Sequence, residues 1–160
     1  MKKAFYLPLM ILGFALVIPN TACSPKYTDL MDTLDSRPEL GIMHSIIEAA
    51  GGPKTFLGKT RSYTMFAVTN DGASHVKASL QEAISNPEHI DELRNILKHA
   101  TLEGKMTASQ LANASGDIRT LGGNVLEISG TANNLMVNGT HVIESIDLGD
   151  GIIHVTDEAF

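Results

Sequence analysis

Apolar positions recur along this chain at two spacings, and the spacing changes once. Between residues 36 and 104 they fall three and four apart, the period of a helix buried along one side; beyond Thr107 they alternate, the period of a strand. Ser36-Arg37-Pro38-Glu39 fits a capping box with Glu at the third helical position. Leu40, Met43, Ile46, Ile47 and Ala50 then form a stripe that Gly51-Gly52 ends, which predicts the first helix. Residues 63–68 interrupt the helical spacing with β-prone side chains. Tyr63, Met65 and Ala67 share one face, Thr64, Phe66 and Val68 the other, and both faces are expected to be partly buried. Thr69, Asn70 or Asp71 is placed to cap a helix reaching Ile84, with Val76, Leu80 and Ile84 four apart. Asn86-Pro87 starts another, whose buried stripe is Ile90, Leu93, Ile96 and Leu97, and Gly104 ends the helical region.

A capping-box turn at Thr107-Ala108-Ser109-Gln110 precedes the change of period. Ile118, Leu121 and segments 125–129, 135–137, 141–146 and 152–156 then read as short strands. Asn138-Gly139 predicts a type I′ hairpin, in which both central residues take positive φ. Gly122-Gly123, Gly130 and Gly149-Asp150-Gly151 punctuate the other strands. Helices first and strands second imply an α+β domain, without the alternation of a parallel βαβ sheet.

The first residues follow a third pattern. Lys2 and Lys3 precede an apolar run over residues 4–18, and Pro19 with small residues leads to Cys23, the layout of a secretory signal over residues 1–22. The run is shorter than the roughly 20 apolar residues of a membrane span and is broken by Pro8. Asn20-Thr21-Ala22-Cys23 resembles a bacterial lipobox, with Asn20 where Leu is usual. That resemblance implies lipidation at Cys23 and a signal of the lipoprotein type; plain secretion is the alternative. Two or three acyl chains suffice for stable attachment, so the anchor needs no help from charge. Residues 23–35, mixed polar with Pro25, read as a tether.

Charge and cysteine count narrow the partners. The chain has 160 residues, 12 Lys+Arg against 18 Asp+Glu and a formal charge of −6, which loss of Lys2 and Lys3 makes two units more negative. That sign argues against nucleic acid and against anionic membrane surfaces. A chain this long buries roughly 65–70% of its unfolded surface without disulfides, so the lone Cys23 is not a missing staple.

Three segments, in order, carry a family resemblance. Residues 63–71, Tyr-Thr-Met-Phe-Ala-Val-Thr-Asn-Asp, resemble the first signature of fasciclin-like domains, an adhesion and extracellular-matrix module, with Val68 in place of the usual Pro. Residues 97–105 are similar to its central segment, although the family's Tyr-His pair is here His99-Ala100. Residues 150–157, Asp-Gly-Ile-Ile-His-Val-Thr-Asp, resemble the last signature, and Val137-Asn138-Gly139 the hairpin before it. The resemblance implies a single domain over residues 36–160, a wedge-shaped β-sandwich with helices packed along one side. It also implies structural roles for Phe66, Thr69, Asn70, His99, Gly104, Asn138, Gly139 and His154. In animal members the Tyr-His pair is associated with integrin-mediated adhesion, and no such contact carries over to His99-Ala100.

The candidate chemistry is sparse. The six histidines, His44, His75, His89, His99, His141 and His154, include no pair at metal-ligand spacing and no HExxH motif. There is no Gly-x-Ser-x-Gly elbow, and a lipidated Cys23 leaves no thiol nucleophile. Asp147, Asp150 and Asp157 do not match an EF-hand loop, and the sequon matches at Asn113 and Asn138 are read as chance. His154, between Ile153 and Val155, is expected to be a hydrogen-bonded strand imidazole. No catalytic residue, metal or cofactor is therefore assigned. The resulting expectation is a lipid-anchored module of the bacterial cell envelope, facing periplasm or exterior, that adheres to an extracellular or envelope protein or carbohydrate. The alternative is a small-molecule or lipid-binding envelope protein that uses an apolar cleft between helices and sheet.

Overall fold

The computed structural model describes residues 27–160, so the leader and Cys23 lie outside the described residues. The expected tether overlaps a helix: α1, Tyr27–Asp35, buries Leu30 and Leu34 completely against the domain. Leu30 and Leu34 sit one helical turn apart, too few apolar positions to stand out among polar neighbours, and tertiary packing decides the segment. The capping box at Ser36 does not form either. Ser36 Oγ donates to the Thr33 carbonyl (2.8 Å), and a single 3₁₀ turn, Pro38–Leu40, leads into α2, Gly41–Ala49. The orphan amide of Ile42 finds its acceptor elsewhere, on Asn70 Oδ1 at 2.9 Å.

The remaining helices follow the sequence pattern more closely. After the short α3, Lys54–Leu57, comes α4, Lys77–Ser85, which starts later than expected because residues 70–76 form turns. Asn86 Oδ1 accepts from the Glu88 amide (3.0 Å) and begins the turn that leads to α5, Ile90–His99. In α5, Leu93 and Leu97 are wholly buried whereas Ile96 is 37% exposed, so the expected four-residue stripe is narrower than its apolar content. The capping box before α6, Ala108–Ala114, is complete: Thr107 Oγ1 accepts from the Gln110 amide, and Gln110 Oε1 from the Thr107 amide.

Seven strands form one sheet: β1 (Tyr63–Val68), β2 (Thr101–Glu103), β3 (Gly116–Arg119), β4 (Val125–Thr131), β5 (Asn134–Val137), β6 (Thr140–Asp147) and β7 (Gly151–Thr156). Their order is β2-β1-β7-β6-β5-β4-β3. Strand β2 was not expected; three residues directly after a helix carry no readable alternation. All neighbouring pairs are antiparallel except β1 and β7, which run parallel with Tyr63 beside Gly151 and Val68 beside Thr156. Residues 69–150, with every element from α4 to β6, serve as their crossover. Asn138 and Gly139 take φ of 49° and 83°, as the hairpin requires.

Strand β6 joins the two halves of the sheet. Its first residues pair with β5, the rest with β7, and a register shift between Val142 and Glu144 bends it. The sheet therefore curls, and two cores result. In the first, the helices lay Leu40, Ile46, Ile47, Leu93 and Leu97 against Met65, Ala67, Ile153 and Val155. In the second, Phe66 and Leu102 on the other face of β1 and β2 meet Leu111 and the inward residues of β4 and β5. Alternation along β1 sends Met65 and Ala67 to one core and Phe66 to the other, so one strand is buried on both faces.

Candidate functional site

Where the two cores meet, a cleft of about 360 Å³ opens to solvent. Met43 and Ile46 of α2, Leu80 of α4 and Ile96 and Leu97 of α5 contribute its helical wall; Phe66, Val68 and Leu126 are its strand residues. The Phe66 ring packs edge-to-face on Phe160, with centroids 6.0 Å apart. His99, Asn124 and Asn138 are the polar side chains of the lining. They belong to neighbouring segments: Asn124, just before β4, reaches the His99 carbonyl through Nδ2 at 3.5 Å, and Asn138 Oδ1 accepts from the amide of Glu127 in β4 at 2.8 Å.

His99 ends α5 with its side chain exposed, and its position depends on a glycine. A Cβ on Gly122 would lie 1.9 Å from His99 Cδ2, so the imidazole occupies the space that a side chain at 122 would take. Of the family-motif positions, the cleft collects Phe66, His99 and Asn138. The others lie elsewhere. Thr69 Oγ1 accepts from the Gly72 amide (3.0 Å), a local turn bond. Asn70 Nδ2 donates to the Pro38 carbonyl (2.7 Å), so this side chain closes the N-terminus of α2 across space instead of capping the next helix. Gly104, at φ +87°, accepts from Thr64 Oγ1 at 2.7 Å and ends β2. Gly139 completes the hairpin.

His154 is fully buried behind Phe66, whose ring stacks on it at 5.6 Å. Its Nε2 lies 2.9 Å from the Met106 carbonyl and its Nδ1 2.7 Å from Ser145 Oγ. A carbonyl can only accept, so Nε2 carries the proton and Nδ1 accepts from the hydroxyl. Burial lowers the pKa below its ordinary 6.5, against the opposing effect of the Met106 bond. Both ring nitrogens are thus committed to the protein, which is the arrangement of a structural imidazole. Asp147 is committed too: Lys105 Nζ (2.6 Å) and the Gly149 amide (2.8 Å) hold its carboxyl below the usual range, the lysine more strongly. Asp157 Oδ1 accepts from the His141 amide (3.2 Å). Among the described residues no group of three or more His, Cys, Asp or Glu is placed to hold a metal ion.

Sequence reasoning offered an apolar cleft between helices and sheet as its alternative but named none of the residues of the helical wall as its lining. One signal was available: at 100° per residue, Ile96 stands about 90° from the centre of the stripe that Ile90, Leu93 and Leu97 define. Val76 and Phe160, also in the lining, left no such mark.

Comparison with known proteins agrees with this architecture. Residues 38–160 match the fasciclin domain. The chain is 30% identical to protein sll1483 of Synechocystis sp. over 162 aligned positions, covering 91% of this chain and 89% of that protein. It is 31% identical to transforming growth factor-beta-induced protein ig-h3 of Sus scrofa over 69% of this chain, which spans 16% of that longer protein. A FAS1 domain pair from the insect cell adhesion molecule Fasciclin I superposes with a TM-score of 0.63 at 16% identity, over 82% of this chain and 50% of that one. Fasciclin domains are associated with cell adhesion and are generally non-catalytic. With the family matched from Pro38 to the last residue and the fold shared with a FAS1 domain pair, this chain belongs to the fasciclin domain family.

Proposed function

We propose that this protein is a non-catalytic adhesion or matrix-association module of the bacterial cell envelope, carried at the membrane by a lipid on Cys23 and binding a protein or carbohydrate surface. The observation that carries the reading is membership of an adhesion-associated family over nearly the whole described chain. The commitment of both ring nitrogens of His154 to internal hydrogen bonds supports the non-catalytic part, since neither is left to transfer a proton. The segment Asn20-Thr21-Ala22-Cys23, behind a positive and then an apolar stretch, supports the anchor.

Two measurements test the two halves. The domain without its leader, immobilised on beads, should retain a defined protein or glycan from solubilised envelopes, and soluble domain should compete it away; retention no better than that of blank beads would refute adhesion. Labelled palmitate should enter the wild-type protein and not Cys23→Ser, which should be soluble or uncleaved. An unlabelled wild-type protein that high salt strips from membranes would refute the anchor.

A further inference from the structure

We propose that the cleft binds one molecule of an uncharged amphipathic compound, an apolar body of lipid-like character that ends in a single hydroxyl or carbonyl group. Size, lining and charge point the same way. The volume, about 360 Å³, falls within the roughly 300–1,000 Å³ of small-molecule sites. Val76, Ile96 and Phe160 are three of the five large apolar side chains left exposed among the described residues, and all three line this cleft. Apolar surface gathered at one concavity is surface that a ligand would cover.

The charge of the ligand follows from what surrounds it. No Asp, Glu, Lys or Arg is among the described residues that line the cleft, and the whole chain is net negative. A carboxylate or phosphate head group would lose its hydration there and meet no cation, which costs far more than burying a neutral group. A hydroxyl or carbonyl instead meets His99, Asn124 and Asn138. Asn124 Oδ1 is engaged by Thr120 Oγ1, and its amide nitrogen makes only the long 3.5 Å contact to the His99 carbonyl, so a better acceptor would be preferred. Gly122 keeps the imidazole of His99 at this corner.

This inference does not rest on the adhesive reading: bead retention and cleft occupancy are separate measurements, and either can fail alone. The probe is N-phenyl-1-naphthylamine, a neutral fluorophore that brightens in apolar surroundings, titrated into the full domain. Saturable binding of one probe per chain is expected, displaced by 1-decanol and at least about tenfold less effectively by decanoate at pH 8. Ile96→Glu and Val76→Glu change side chains already exposed, so each should keep its unfolding midpoint and weaken probe binding at least about tenfold. Ile143→Glu, at a more exposed apolar position outside the cleft, should bind as wild type does. Absence of saturable binding, equal displacement by decanoate, or unchanged affinity in both cleft variants would overturn the proposal. So would concentration-dependent dimerisation that Ile96→Glu abolishes and the probe does not affect, since the occupant would then be a second copy of the chain.

Discussion

Asn70 makes two bonds to a segment some thirty positions earlier, accepting from the Ile42 amide and donating to the Pro38 carbonyl. An asparagine can do both with one planar group, which explains why the position suits Asn better than Ser or Asp. Asn70→Ala should cost about 1–2 kcal/mol in urea unfolding, because it orphans a helix-start amide and a turn carbonyl together. Asn70→Asp, which keeps the acceptor and loses the donor, should cost less; equal midpoints for wild type and Asn70→Ala would refute the cross-chain cap. His154 gives the second residue-scale expectation. Its folded pKa is lowered by burial, so near and below pH 6.5 the unfolded chain takes up a proton that the folded chain refuses. The stability it contributes is therefore complete above that pH and is lost as pH falls through 6.5 toward the lowered value. The urea midpoint of the wild type should drop between about pH 7.5 and 5.5, whereas His154→Gln should start lower and fall less steeply. Parallel pH profiles would remove His154 as the cause.

Among the elements, α1 and the end of α5 separate what could be read from what could not. The Asn86-Pro87 start of the turn before α5 and the Thr107–Gln110 capping box were legible because a side chain bonds its own neighbours, and local bonds leave local signatures. Docking of α1 was not legible: Leu30 and Leu34 become wholly buried only by packing on residues remote in sequence, and polar neighbours hide them. Leu34→Ala should cost about 2–5 kcal/mol, the range for a large-to-small change in a core. A cost below about 0.5 kcal/mol would return residues 27–35 to the role of tether. The contact between α5 and the turn before β4 was equally hidden, since a Gly-Gly pair reads as punctuation whatever it faces. Gly122→Ala should destabilise because its methyl group meets the His99 ring, and most of that cost should vanish in a His99→Ala background. Additive effects in that double-mutant cycle would mean that the glycine is needed for some other reason.

At the scale of the whole molecule, the family signatures sit where the two cores share backbone. Strands β1 and β7 carry the first and last signatures, pair with each other in parallel, and are each flanked by a further strand, β2 and β6 respectively. Every residue of β7 is buried, and β1 is buried on both faces. Their alternating patterns were legible as strands, but their partnership was not, because no local feature of residues 63–68 names residues 151–156 as neighbours. The same holds for the cleft, whose walls come from α2, α4, α5, β1 and β4 and exist only once both cores are assembled. Opening β1 breaks both cores at once, and opening β7 breaks the first and removes the His154 ring that stacks on Phe66 of the second, so their amides should exchange with solvent only through global unfolding. The edge strand β3, four residues long and alternately exposed, should exchange by local fraying. Native-state hydrogen exchange should therefore rank β1 and β7 slowest, with opening free energies equal to the global value from urea unfolding, and β3 among the fastest strands. If the amides of α2 or α5 outlasted those of β1 and β7, the helical layer would be the last part to yield, and the shared pair would not be what holds the two cores together.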